Sequence, residues 1–126
     1  MSFVQSRIVI SGLLFAVIIL SGLWLSNSGR PINVIALTAH KLIALGMLVL
    51  FVLTLHQMNQ AVGLSTIEFI GGGLTLLFFV VTIIMGGLLS TENPMPKIVL
   101  TLHQIGPILA ALSTAATLYL LLNHKP

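Results

Sequence analysis

TIEFIGGGLTLLFFVVTIIMGGLLS, residues Thr66–Ser90, carries one ionisable side chain, Glu68, and that residue lies in its first turn. Everything after it is apolar, small or hydroxylated. A bilayer core of about 30 Å is crossed by about 20 residues of helix, so this stretch predicts a membrane-spanning helix. Three more runs have the same character: Arg7–Ser26, Asn33–Met58 and Pro96–Leu122. Together they occupy most of a chain of 126 residues that is 57% hydrophobic and only 6% charged. The sequence therefore predicts an all-α membrane protein, a single domain over residues 1–126 with transmembrane helices at about 7–26, 33–58, 66–90 and 96–122.

Composition removes several classes of function. Net charge is +3, but the five Lys/Arg residues are scattered and make no basic patch for nucleic acid. The absence of cysteine excludes disulfides, iron–sulfur clusters and thiolate metal sites. Arg7 precedes the apolar run Ile8–Leu25, which is longer than a signal-peptide core and has no small-residue cleavage pattern after it, so it reads as a retained helix.

The breaks are short and have turn chemistry: Asn27–Pro31, Asn59–Ser65 and Thr91–Pro94. Short connections make sequential helices antiparallel neighbours, which gives an up-down-up-down bundle. With the N-terminus inside, Arg7 and Lys125 fall inside while Arg30 and Lys97 fall outside, a near tie that Arg7 tips slightly toward N-inside. A balance this even also accommodates dual insertion or a homo-oligomer.

The halves echo each other. PINVIALTAH (Pro31–His40) matches PMPKIVLTLH (Pro94–His103), and SGLWLS (Ser21–Ser26) resembles GGLLS (Gly86–Ser90). Each repeat is the end of one helix, a proline turn and the start of the next. The halves read as two parallel two-helix repeats about an axis along the membrane normal. In that arrangement the second and fourth helices run the same way, and His40 and His103 lie at one depth, about 10 Å into their spans at 1.5 Å per residue.

An imidazole in hydrocarbon is costly without partners, so two at one level invite a ligand. Zinc wants three or four donors, and no Cys, Asp or Glu lies near this depth. Haem iron wants two axial ligands, and two histidines supply them. Small residues line the helical turns after His103: Gly106, Ala110, Thr114 and Thr117. Such a stripe admits a flat macrocycle, and equally makes an ordinary helix-packing motif. Around His40 the corresponding residues are Ala36, Ala44 and Met47. Arg30 and Lys41 lie toward the same membrane face, where they would pair with haem propionates.

A bundle with histidines facing each other from two helices resembles the bis-histidine b-type cytochromes of membranes. The resemblance rests on the architecture with His40 and His103, and no long diagnostic motif accompanies it. It implies non-covalent haem b and electron transfer with a quinone or another redox protein, in a bacterial-type inner membrane. No C-x-x-C-H is present, which excludes covalent haem. Two rival readings stay open: a small transporter or channel whose histidines relay protons, and a non-catalytic subunit of a larger membrane complex.

His56 and His124 fall at the opposite face, where they would make a second, less favoured haem site. Sixteen positions separate His40 from His56, which at 100° per residue turns the second ring about 160° from the first. Two interfacial histidines, His124 near a fraying end, are the simpler expectation. Glu68 reads as a solvated first-turn carboxylate, favourable with the helix dipole. Gly71–Gly73 and Gly86–Gly87 lack the Lys-Ser/Thr of a phosphate loop and read as close-packing positions.

Overall fold

The computed structural model describes residues 1–91 and 93–125; Glu92, in the predicted Thr91–Pro94 turn, lies outside them. Four helices follow in order: α1 (Phe3–Asn27), α2 (Val34–Val62), α3 (Thr66–Leu89) and α4 (Lys97–Leu122). All four are long and apolar enough to cross a membrane, and the protein is an integral membrane protein of all-α class. The described residues contain no strand.

Capping chemistry sets where these helices begin. Ser2 and Gln5 form a reciprocal capping box, so α1 starts at Phe3, ahead of the predicted Arg7. Ser65 and Glu68 repeat the device at α3. Asn33 caps α2 by accepting from the backbone N–H of Ala36 at 3.1 Å. The end of α2 also differs from expectation. The polar Asn59 and Gln60 read as loop, yet the helix runs on to Val62. It stops where Gly63 takes φ +72°, and Asn59 Oδ1 accepts from the N–H of Leu64 there.

Burial is inverted relative to a water-soluble domain. The most completely buried side chains are Thr54, Thr75 and Thr117, while Leu13, Leu20 and Leu112 are each 65% exposed. Leucines facing outward and hydroxyls facing inward are what a lipid solvent selects. Several of these hydroxyls are satisfied locally: Thr54 donates to the carbonyl of Leu50, Thr75 to Gly71 and Thr82 to Phe78, each at 2.7 Å, whereas the buried Thr114 Oγ1 has no hydrogen-bond partner among the described residues.

The chain forms two compact units, Met1–Thr54 and Leu55–Pro126. In the first, the N-terminal part of α2 folds back along the end of α1. In the second, α4 runs back along α3, and Gly72 of α3 is packed against Leu55 in the last turns of α2. Each helix thus reverses the direction of its predecessor, the up-down-up-down order that the short connections require.

The α3–α4 seam is built from glycine against threonine. A Cβ at Gly71 would lie 2.9 Å from Thr117 Oγ1, and one at Gly106 would lie 2.0 Å from Thr82 Oγ1. Between those two contacts, Thr75 Oγ1 hydrogen-bonds Ser113 and approaches Thr117 Oγ1 at 3.4 Å. Gly106→Ala is therefore expected to destabilise the α3–α4 hairpin by about 1–3 kcal/mol through overpacking. Gly73→Ala, with nothing within 4 Å of its Cβ, is expected to change stability little. Unfolding of both variants in detergent, followed by circular dichroism, checks the contrast.

Candidate functional site: two seated histidines

His40 lies in the second turn of α2 and His103 in the second turn of α4. Each is half-buried, and each ring is held by the helix that precedes it in its own unit. His40 Nδ1 is 2.7 Å from Ser21 Oγ of α1. His103 Nδ1 is 2.9 Å from the main-chain carbonyl oxygen of Thr82 in α3. A carbonyl only accepts, so His103 donates from Nδ1 and its neutral ring carries the acceptor lone pair on Nε2.

Each ring also rests on a glycine. A Cβ at Gly22 would meet His40 Cε1 at 3.1 Å, and one at Gly86 would meet His103 Cε1 at 2.6 Å. These are the glycines of the echoed SGLWLS and GGLLS stretches. The repeat is thus more than matched histidines. It is a seat made of a glycine floor in one helix, an oxygen for Nδ1 on the same helix, and a histidine from the next. Sequence reasoning took Gly86 only as a close-packing position and did not single out Ser21, Gly22 or Thr82. The recurrence of the two stretches was the available signal for the glycines. Nothing pointed to the main chain of Thr82.

The other residues assigned to a cofactor fall differently. Ala44 is half-buried one turn after His40, and Arg30 and Lys41 are exposed near the loop end of that unit. Gly106 and Ala110 are buried in the second unit, and the open side of Gly106 is filled by Thr82. Gly106 therefore packs against Thr82 in the α3–α4 seam. Thr117 does the same against Gly71. Pro107 stands one turn beyond His103 inside α4 and has no N–H to give to the His103 carbonyl.

The far end of the second unit holds a different arrangement. His124 Nδ1 lies 2.8 Å from both carboxylate oxygens of Glu68, and Glu68 Oε1 also accepts from the N–H of Ser65 at 2.8 Å. Glu68 is 2% exposed, so the expected solvated carboxylate is instead buried. The capping box and His124 together supply the partners that make this burial tolerable. His124 is held rather than frayed, with its Nδ1 turned to Glu68, whereas His56 is exposed. Among the described residues no group of three His, Cys, Asp or Glu converges as a polydentate metal site.

The seats predict unequal tolerance to a methyl group. Gly86→Ala forces the His103 ring to move, because 2.6 Å is closer than real Cβ contacts come, whereas Gly22→Ala asks His40 to yield by only a few tenths of an ångström. Imidazole resonances of histidine-labelled protein should therefore shift strongly at His103 in Gly86→Ala and weakly at His40 in Gly22→Ala. Comparison of the chain with protein-family models, with curated proteins and with solved structures returns no match to any of them.

Proposed function

We propose that the protein is a membrane b-type haem protein that transfers electrons, with His40 and His103 as the residues that would hold the haem. The observation that supports this most is the repeated seat. A histidine that binds a metal through one ring nitrogen usually gives its other N–H to an oxygen, which fixes the ring and raises its basicity. Both histidines have an oxygen at Nδ1. The donor chemistry also fits the group: two imidazoles are what haem iron takes axially, and too few for zinc.

In this reading Nε2 of each ring is the ligand atom. Ser21 Oγ and the Thr82 carbonyl would hold the rings through Nδ1, and Gly22 and Gly86 let them lie against the helix backbone. Arg30 and Lys41, near the loop end, would neutralise the propionates. The bound group supplies one-electron oxidation and reduction. The residues supply position, a low-dielectric surrounding and exclusion of water. One haem is proposed. The partner is a quinone or another redox protein in a bacterial-type inner membrane, with the N-terminus inside. A second haem is not proposed, because His56, the other histidine at that end, is exposed.

Purified protein supplemented with haem should show a Soret band and a b-type pyridine haemochrome. His40→Ala and His103→Ala should each lose it while keeping helical circular dichroism. A wild-type protein without a Soret band after supplementation refutes the proposal.

One observation favours a second reading, the histidine-based proton relay of a small transporter. A buried carboxylate in a membrane span is unusual outside proton and ion pathways, and Glu68 is buried against His124. That reading predicts proton-coupled flux in liposomes that Glu68→Gln abolishes. The haem reading predicts that Glu68→Gln leaves the Soret band intact.

A further inference from the structure

We infer that Ser21 is the positioning residue of the His40 seat, and that its hydroxyl oxygen accepts the Nδ1 proton of His40. The two seats look alike but are chemically unequal. At His103 the oxygen is a main-chain carbonyl, which cannot donate, so Nδ1 must carry the proton. At His40 the oxygen is a hydroxyl, which can either accept or donate. If it donated to Nδ1, the proton of the neutral ring would sit on Nε2, the wrong nitrogen for a ligand.

The structure assigns the direction through a third group. Ser21 Oγ also lies 3.0 Å from the carbonyl oxygen of Ile18, one turn back in α1. That carbonyl only accepts, so the single hydroxyl proton of Ser21 goes to Ile18. Ser21 Oγ must then accept from His40, 2.7 Å away, and His40 is the Nδ1–H tautomer. The relay runs from His40 Nδ1–H to Ser21 Oγ and from Ser21 O–H to the Ile18 carbonyl. No proton is left over and no acceptor is asked to donate. Its purpose rests on the ligand reading of His40; its geometry does not.

The Nδ1 partner of His103 is consequently backbone that no single side-chain change removes, while that of His40 is one hydroxyl. Ser21→Ala removes the Nδ1 acceptor of His40 and leaves the His103 seat as it was. Ser21→Thr keeps a hydroxyl on the same Cβ and restores the relay. Loss of an outer partner of a metal-bound histidine typically weakens binding about 10- to 100-fold.

The test is nitrogen-15 NMR of histidine-labelled protein in nanodiscs without added haem, under alkaline conditions that keep the rings neutral. Peaks are assigned from His40→Gln and His103→Gln spectra. Expected is an Nδ1–H tautomer at both His40 and His103 in the wild type. Ser21→Ala should move His40 toward Nε2–H with His103 unchanged, and Ser21→Thr should return His40 to Nδ1–H. An Nε2–H tautomer at His40 in the wild type, or an unaltered His40 in Ser21→Ala, overturns the inference. Haem titration of the same variants adds the functional arm: Ser21→Ala should bind about 10- to 100-fold more weakly than the wild type, and Ser21→Thr near the wild type. If no variant gives a Soret band, the haem reading fails while the NMR spectra still decide the role of Ser21.

Discussion

A ring N–H placed in hydrocarbon must find an oxygen inside the protein, because lipid offers none. The rest of the arrangement follows from this constraint on His40 and His103. To meet it, each imidazole lies against the preceding helix, and it approaches closely only because that helix has a glycine there. The same rule disposes of Thr54, Thr75 and Thr82, whose hydroxyls turn back to their own helix carbonyls, and Thr75 also meets Ser113 across the α3–α4 seam.

Satisfying that constraint has a chemical by-product. An imidazole that gives one N–H to a neighbouring helix becomes a more basic and better oriented donor at its other nitrogen. The price of burying a histidine and the preparation of a ligand are thus the same hydrogen bond. This is why a repeated seat supports a cofactor more strongly than a repeated histidine does. The pair Glu68–His124 obeys the constraint in another way, since there the histidine's partner is a carboxylate that itself needs shelter.

Much of the fold was legible in the sequence, and for a simple reason. Four uncharged runs of span length leave no alternative to membrane helices, and their short connections fix the alternation of direction. Helix ends were less legible where local bonds overrode composition. Ser2 and Gln5 extend α1 toward the N-terminus, and Asn59 and Gln60 are carried into α2 by a stop signal that sits later, at Gly63. The histidines could be found from the echo of PINVIALTAH in PMPKIVLTLH. Their partners could not, since one is a main-chain carbonyl with no sequence signature and the other is an unremarkable serine. The stripe through Gly106 was visible, but a packing stripe and a cofactor stripe have the same composition. Thr82 opposite Gly106 shows that the stripe packs the α3–α4 seam at that position.

The proposal to be tested is that His40 and His103 would be the residues that hold a haem. Near-infrared magnetic circular dichroism of the oxidised, haem-supplemented protein tests it most directly, because the ligand-to-iron band reports the axial pair itself. The account predicts a low-spin bis-imidazole signature in the wild type. A high-spin spectrum with a single imidazole, or no haem signal at all, would contradict it.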